Sequence, residues 1–443
     1  MIRTVPFSVA ATILAMVSHA HGQSFETIAP DAGFDYAVVQ DISDNGQFAL
    51  VSLQNSQTRP TIPFCYVLDL TNGTRRDLVD PLGRDLNALS LSADGSVVVG
   101  YVGGGPGGAT SAFVWGESGF LEIGGLSGGN ISYATGVSGD GSMVVGLTGA
   151  NFGDPYQQGW RWTSTGGFVP LDDIGDDMLI FSSVQGVSAD GTAVVGFGTI
   201  GDFDPDTDDF QRGAAWFNGG VMPTDLGILP NPFNVGIEGF AASADGSVVV
   251  GLGSTTNAGG EFINVGFRWT QPGGLQAILP PSGTPAIASS YIFDCSLDGN
   301  TLVGYTIAGG VSTWDGLVWT PGDGSRALRT ILGDAGVMIP TNIRVRETFC
   351  SGDGTILGGW CYDTTTQKYF GYIARLSAGA PCDPDVNADG NVDQDDIACL
   401  SQAVGGSPEC LGAGVDPDFN QDGNVDQDDI AALEQVVAGS ECP

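Results

Sequence analysis

A nine-residue pattern, Ser-x-Asp-Gly followed by an apolar run, recurs along the 443-residue chain. Its clear copies begin at Ser92, Ser138, Ser188, Ser243, Ser296 and Ser351, and a weaker copy, SDNGQFALV, begins at Ser43. The residues before the turn glycines are separated by 49, 46, 50, 55, 53 and 55 residues. A period near 50 residues indicates seven copies of one supersecondary unit.

Each unit predicts four short β-strands. Asp-Gly between apolar runs favours a hairpin, because glycine adopts the positive φ of the turn without steric cost. Runs such as VVVG are β-branched and apolar, as expected for strands covered on both faces. About twenty residues after the turn comes an aromatic landmark, which the first and last units replace by other residues. The landmark positions are Tyr66, Trp115, Trp162, Trp216, Trp269, Trp319 and Ala374.

The predicted fold is mainly β, a seven-bladed β-propeller over residues 25–378. Four strands per unit match a propeller blade, the tryptophans would fill space between blades, and ring closure would leave no long sheet edge. A β-sandwich and an open solenoid are the competing architectures.

The repeats resemble the extracellular HAF-type repeat, as in SAFVWGESGFLEIGGLSGG from Ser111 to Gly129. The resemblance covers roughly residues 25–378, is clear in the middle five copies and is loose at both ends. It implies a propeller and secretion. It implies no reaction.

The first 22 residues are expected to form a secretory signal peptide. Arg3 precedes an apolar stretch from Val5 to Val17, and small residues follow it. Cleavage after Ala20 and after Gly22 both fit. A membrane anchor is the alternative, but the stretch is shorter than the roughly 20 residues that a spanning helix needs. The mature protein is expected to be secreted, extracellular or attached to the cell surface.

Export would allow the eight cysteines to pair. Four lie in the long N-terminal part, and four lie in the tail, where they suggest staples for a small domain. Four cysteines permit three connectivities, and the interpretation adopted pairs Cys382 with Cys442 and Cys399 with Cys410. Metal-thiolate chemistry is the alternative, although no C-x-x-C occurs.

The tail carries the most specific motif. After a linker at residues 379–382, residues 383–443 contain two nearly identical twelve-residue loops, DVNADGNVDQDD and DFNQDGNVDQDD, 33 residues apart. Each has oxygen ligands at positions 1, 3, 5, 9 and 12, glycine at position 6 and a backbone carbonyl ligand at position 7. The candidate metal ligands are Asp385, Asn387, Asp389, Asn391, Asp393 and Asp396, then Asp418, Asn420, Asp422, Asn424, Asp426 and Asp429.

Calcium is the expected ion, two ions in all, because a hard cation prefers several oxygen ligands and neither His nor Cys stands at a ligand position. Repulsion among the carboxylates predicts that binding and folding are coupled. Acidic loops that only increase solubility are the alternative, but they would not predict two full ligand patterns.

An amphipathic helix is expected after each loop, DDIACLSQAV and DDIAALEQVV, with none before it. This loop-helix pair resembles a type I dockerin and, with its cysteines, the planctomycete-like anchoring variant. The resemblance implies a cohesin-like or surface-anchoring partner, recognised through loop positions 10 and 11. These positions are Gln394, Asp395, Gln427 and Asp428 and depart from the usual small, hydroxyl or apolar side chains. Because both halves carry the same two residues at these positions, either half could dock.

Charge and residue types exclude several functions. With 14 Lys and Arg against 51 Asp and Glu, a net charge of -37 argues against nucleic acid and against anionic membrane surfaces as partners. Both histidines, His19 and His21, lie in the segment expected to be removed, so a Ser-His-Asp hydrolase is not expected. Residues Gly201–Phe210 hold four alternating Asp and are a weaker metal candidate, with a solvated acidic loop as the default.

The sequence therefore predicts a secreted, non-enzymatic binding propeller, with a glycan as candidate ligand, tethered through a calcium-loaded dockerin. The alternative is a dockerin-borne carbohydrate-active enzyme, a glycoside hydrolase or polysaccharide lyase active in polysaccharide breakdown. Such an enzyme needs two carboxylates about 5 to 10 Å apart, which different blades could supply around the central channel. The sequence predicts no catalytic residue.

Overall fold

The structure is a computed structural model and describes most of the chain. The described residues are 23–54, 64–103, 109–149, 157–174, 182–200, 210–230, 236–257, 259–308, 313–376, 386–387, 392–407, 410–411, 417, 419, 425 and 427–437. The chain divides into two compact units, with the boundary between Leu376 and Ser377.

The first unit is built from short strands. In chain order they are β1 (Ser24–Ile28), β2 (Tyr36–Ile42), β3 (Phe48–Gln54), β4 (Phe64–Asp69), β5 (Arg75–Leu78), β6 (Leu86–Leu91), β7 (Val98–Val102), β8 (Ser111–Gly116), β9 (Gly119–Gly124), β10 (Ile131–Val137), β11 (Met143–Gly149), β12 (Gln157–Thr163), β13 (Gly167–Pro170) and β14 (Ser182–Val187). They continue with β15 (Ala193–Ile200), β16 (Phe210–Phe217), β17 (Thr224–Asp225), β18 (Glu238–Ala242), β19 (Val248–Thr256), β20 (Phe262–Thr270), β21 (Gly274–Ile278), β22 (Ser289–Cys295), β23 (Leu302–Ile307), β24 (Asp315–Thr320), β25 (Gly324–Ala327), β26 (Ile343–Cys350), β27 (Ile356–Asp363) and β28 (Lys368–Arg375). A short helix, α1 (Leu328–Asp334), joins β25 to β26.

These strands form seven four-stranded sheets, one per repeat, which confirms the predicted seven-bladed β-propeller. Blades 1 to 6 take four consecutive strands each, from β2–β5 to β22–β25. The first strand of every blade lies innermost, around the central channel.

Blade 7 closes the ring with strands from both ends of the unit. Its sheet has the order β1-β28-β27-β26, and β1 pairs antiparallel to β28 from Ser24↔Arg375 to Ile28↔Gly371. An ion pair of 3.1 Å between Arg375 and Glu26 joins the same two strands. The place of β1 in the last blade is not predictable from the repeat pattern, because a partner about 350 residues away leaves no mark on the local sequence.

The Ser-x-Asp-Gly motif forms the turn between the first two strands of each blade. In blade 5, the Gly246 N–H donates to the Ser243 carbonyl at 3.0 Å, and Gly246 has a φ of +69°. The Ser243 hydroxyl donates to Asp245 and accepts the Val248 N–H, both at 3.0 Å. The positive φ recurs at the turn glycine of all seven blades, as predicted from the sequence.

The same turns link neighbouring blades into a continuous belt. Seven backbone hydrogen bonds of 2.7–3.0 Å run around the ring. In order they are Asn45 N to Ala93 O, Ala93 N to Gly139 O, Gly139 N to Ala189 O, Asp190 N to Ala244 O, Ala244 N to Leu297 O, Leu297 N to Gly352 O, and Gly352 N to Asp44 O. The motif thus provides hydrogen-bond partners for backbone groups both within each blade and between neighbouring blades.

Every innermost strand carries a β-bulge. In blade 6 the register shifts between Ile292 and Asp294, so Phe293 is the extra residue. The motif's last glycine lies opposite this bulge, and a Cβ on Gly304 would stand 1.8 Å from the Tyr291 carbonyl oxygen. Bulges redirect side chains, and here the redirected side chains line the channel.

The landmark tryptophans pack between blades, as predicted. Trp216 lies in a core cluster with Val145 and Leu171 of blade 3. Trp269 packs with Val195 of blade 4, and Trp319 packs in the cluster between blades 5 and 6. Apolar burial between successive sheets is therefore the main force that holds the ring.

The second unit contains two helices, α2 (Gln394–Val404) and α3 (Gln427–Val437), at the positions expected after each loop. Its small hydrophobic core includes Val386, Leu400, Phe419 and Leu433. The predicted disulfide between Cys399 and Cys410 is present. No helix among the described residues is both long and apolar enough to cross a membrane.

Candidate functional site

Two regions bear on function: the predicted calcium loops and the central channel. Four of the twelve predicted calcium ligands lie in the described part of the chain: Asn387, Asp393, Asp396 and Asp429. The other eight, Asp385, Asp389, Asn391, Asp418, Asn420, Asp422, Asn424 and Asp426, lie outside the described residues.

In the first loop, the position-12 carboxylate is the centre of the local structure. Asp396 is fully buried. Its Oδ1 accepts the Asn387 N–H at 3.2 Å, and its Oδ2 accepts the Asp393 N–H at 2.8 Å. Asp393 is the N-cap of α2 and accepts the Asp395 N–H at 2.9 Å. The reciprocal bonds form a capping box, which joins the loop to its helix.

The second loop repeats the key feature. Asp429 has the same loop position, also has no exposed surface, and lies in the first turn of α3. Among the described residues, no group of three or more His, Cys, Asp or Glu side chains has an arrangement that could hold a metal ion.

Several other predictions fall outside the described residues. These are the signal peptide, the linker at residues 379–382, the disulfide between Cys382 and Cys442, and residues 201–209 of the acidic loop. Phe210, the last residue of that loop, begins β16.

The central channel contains a cavity of about 170 Å³ at the end where the Ser-x-Asp-Gly turns lie. All seven blades contribute lining residues, including Gln40, Thr135, Gln185 and Phe240. This volume is below the roughly 300–1,000 Å³ typical of small-molecule sites. The cavity can therefore hold water or a small ligand, but not a polysaccharide chain.

Three carboxyl groups line this cavity, those of Asp41, Asp44 and Asp294, and two of them, from different blades, make the same pair of backbone hydrogen bonds. Asp41 accepts the Ile42 N–H at 2.8 Å and the Leu91 N–H of blade 2 at 2.9 Å. Asp294 of blade 6 makes the same pair of bonds, from Cys295 at 2.8 Å and from Cys350 of blade 7 at 2.9 Å. Each of these two carboxyl groups thus joins its own blade to the next.

The cavity changes the proton affinity of both groups. Burial raises the pKa of Asp41 to about 8. The negative charge of Asp294 also raises it, and the hydrogen bond from Leu91 opposes the rise. Burial also raises the pKa of Asp294, to about 6, while the hydrogen bonds from Cys350 and Cys295 oppose the rise. Both carboxyl groups therefore hold a proton more tightly than a carboxyl group in water does.

Two thiols lie beside these carboxyl groups. Cys295 and Cys350 line the cavity. Both are buried and form no disulfide, and the same holds for Cys65 and Cys361 elsewhere in the propeller. Burial raises the pKa of both cavity thiols well above its ordinary value, so they stay protonated. Neither has the thiolate character of a reactive cysteine.

Asp41 and Asp294 are not among the residues predicted from the sequence. A signal was present, because both stand two residues before the motif serine, where the other blades have Ser90, Gly136, Gly186, Ala241 and Phe349. The repeat alignment isolates the position. It does not show that blades 1 and 6 face one cavity.

No family model matches the chain, and no curated protein matches it. Solved structures similar to it include the β-propeller domain of the Trilobed protease from Pyrococcus furiosus, with 11% identity, a TM-score of 0.49, and 77% of this chain and 94% of that chain covered. TolB from Acinetobacter baumannii is similar with 11% identity, a TM-score of 0.38, and coverage of 78% and 66%. An uncharacterised protein from Listeria monocytogenes has 11% identity, a TM-score of 0.44, and coverage of 79% and 95%. Similarities this distant carry no function to the present chain.

Proposed function

We propose that the protein is a secreted binding propeller attached to a cohesin-like or surface-anchoring partner by a calcium-binding dockerin tail. The observation that carries the proposal is the equivalence of Asp396 and Asp429. Both are fully buried carboxylates at position 12 of near-identical loops, and each lies in the first turn of the helix that follows. Position 12 of such a loop supplies a carboxylate ligand to the ion, and both loops place a buried carboxyl group there.

The described residues fit a calcium ion. The two oxygens of Asp396 each accept one backbone N–H, which leaves a lone pair on each for a cation. The donor set is oxygen only, as a hard cation requires. When bound, calcium would neutralise part of the charge of a tail with 15 acidic and no basic residues between Pro381 and Pro443.

The surface near the helix starts supports docking. Gln394, Asp395 and Gln427 are exposed at the first turns of α2 and α3. These are loop positions 10 and 11, where the resemblance to dockerins places partner contacts. Because both halves carry the same residues, one partner surface can meet either half.

Calorimetric titration of the calcium-stripped full-length protein tests the tether. We expect about two calcium ions per chain, with a gain in far-UV helical signal and protection of the tail from proteolysis. The double variant Asp396→Ala, Asp429→Ala should lose both ions, because it removes the position-12 ligand from each loop.

The matched control is Asp245→Ala, Asp353→Ala. It removes the same number of carboxylates, but from propeller turns, and should still bind two ions. Unchanged binding in the tail variant, or no binding in the unaltered protein, would contradict the calcium-dependent tether.

One observation favours the enzymatic alternative. Asp41 and Asp294 share a cavity and differ in proton affinity, as an acid and a base must. Against catalysis, each carboxyl group already holds two backbone N–H groups, and the cavity is small. A polysaccharide panel separates the two functions: release of reducing ends favours an enzyme, and retention without cleavage favours a binding module.

A further inference from the structure

Blade 7 carries an arginine enclosed by aromatic rings at the end of the channel away from the Ser-x-Asp-Gly turns. Arg346 lies on the innermost strand β26 and pairs in register with Trp360 of β27. Its guanidinium carbon lies 4.4 Å from the ring centroid of Trp314, 5.0 Å from that of Trp360 and 5.0 Å from that of Tyr305. We call these four residues, with Tyr369, the rim site.

The aromatic surface continues across the next strands. The rings of Trp360 and Tyr369 are 5.2 Å apart, and Tyr369 lies 4.8 Å from Tyr36 of blade 1. Trp360, Tyr369 and Tyr36 are each partly exposed. The rings therefore form a wall from blade 6 to blade 1, with solvent access.

Arg346 forms no ion pair with the described residues. Six other arginines of the propeller form ion pairs with Asp or Glu: Arg75, Arg84, Arg212, Arg326, Arg329 and Arg375. Among the described residues, Arg346 forms none and donates one bond, at 3.3 Å, to the Tyr305 hydroxyl. The guanidinium of Arg346 can therefore pair with an anion without breaking an existing ion pair.

Two hydrogen-bond donors of the rim site are also unsatisfied. Within the described part of the chain, Arg346 Nε and Trp314 Nε1 are buried without a partner. Trp314 is only 9% exposed. Buried donors are rarely left unpaired, so two in one cluster point to an acceptor supplied by a ligand.

This end of blade 7 is less acidic than the protein as a whole. This end of blade 7 holds Arg344, Arg346 and Lys368 against Glu347 and Asp363, which gives three positive and two negative charges, a net of +1. Screening over about 8 Å at physiological ionic strength limits the influence of more distant carboxylates.

Glu347 adds evidence that the site is held in a special geometry. It is the extra residue of the β26 bulge and has a φ of +41°, in the left-handed region. Its carboxylate accepts the Trp360 indole N–H at 2.8 Å. Strained residues of this kind are concentrated at binding and active sites. Here Glu347 is a positioning residue that fixes the plane of the Trp360 ring.

We propose that the rim site binds an acidic glycan, with a uronic acid carboxylate paired to Arg346 and the sugar ring stacked on Trp360 or Tyr369. Guanidinium groups match carboxylates in shape and hydrogen bonding, and aromatic rings offer flat apolar area to a sugar face. The inference rests on the proposed binding function and specifies its ligand class and its place.

Titration calorimetry of the full-length, calcium-loaded protein tests it with two probes, trigalacturonate and the neutral cellotriose. We expect trigalacturonate to bind at least about tenfold more tightly, since a hydrogen bond to a charged group contributes about 1.5–3 kcal/mol. Arg346→Gln should remove that preference. Arg346→Lys, which keeps the charge but not the planar fork, should keep part of it.

Arg76→Gln is the matched control, because Arg76 also stacks on a tryptophan, Trp115 at 4.7 Å, but on blades 1 and 2. It should bind both probes as the unaltered protein does, and unfolding curves of all variants check the fold. Equal affinity for the two sugars would overturn the acidic ligand class, and unchanged binding by Arg346→Gln would overturn the site. No binding of either sugar would overturn the rim site as a glycan site, while the calcium titration reports on the tether independently.

Discussion

The substitution Asp41→Asn should make the propeller less sensitive to pH. The pKa of Asp41 is raised from 3.8 to about 8, so between these values the folded state holds a proton that the unfolded state has lost. The contribution of Asp41 to stability is therefore greatest at low pH and falls as pH rises through this window. Asparagine has nearly the same shape and does not titrate.

The magnitude follows from proton linkage. One extra proton in the folded state changes the free energy of unfolding by about 1.4 kcal/mol per pH unit. Because Asp41 is partly exposed to the channel, we discount this to about 1 kcal/mol per unit. Between pH 5 and pH 7 the unaltered protein should then lose about 2 kcal/mol more than the variant. The variant itself should be less stable at pH 5 by about 1 kcal/mol, because its amide accepts only one of the two N–H groups from Ile42 and Leu91.

Urea unfolding followed by tryptophan fluorescence, at fixed ionic strength and calcium concentration, measures both effects. The control is Asp94→Asn in the blade 2 turn, where hydrogen bonds from Ser96 and then Ser92 lower the carboxyl pKa. A lowered pKa contributes stability above the unfolded value, so this control should lose a constant amount from pH 5 to pH 7. Parallel pH curves for Asp41→Asn and the unaltered protein would refute the reasoning.

Two further predictions concern the motif and the tail. Ser243→Ala should cost about 1–2 kcal/mol in urea unfolding, because it leaves the Val248 N–H without its acceptor and removes the bond to Asp245; a loss below 0.5 kcal/mol would contradict a structural role for the motif serine. Replacing Cys399 and Cys410 by alanine opens a loop closed over 11 residues and should destabilise the tail by about 3 kcal/mol, while the unfolding of the propeller stays unchanged. Tail proteolysis measured with and without reductant checks that value, and equal rates would contradict it.

The features predicted correctly are those whose cause is local. The turn at Ser243–Gly246 needs only its own four residues, and the apolar run after it forms a strand wherever the next repeat supplies a neighbour. The helices α2 and α3 follow from amphipathic spacing and an acidic start. The Cys399–Cys410 disulfide joins residues that are only 11 positions apart in the sequence, so its pairing is also local.

The features missed are those that need two distant segments. Asp41 and Asp294 come from blades 1 and 6, and only ring closure brings them to one cavity. The left-handed φ of Glu347 occurs at the extra residue of the β26 bulge, and the extra residues of the other six bulges do not share it. Neither can be read from a repeat alignment, which treats each unit as independent.

The sequence by itself determined the number of blades, the turn chemistry, the tail helices and the oxygen-rich loops, since repeat period, glycine positions and ligand spacing are properties of neighbouring residues. Only the tertiary structure decided which strand closes the ring and which side chains meet in the channel. The physical reason is that β1 and β28, like Arg346, Trp314 and Tyr305, gain their contacts from chain segments that approach one another only when the blades pack.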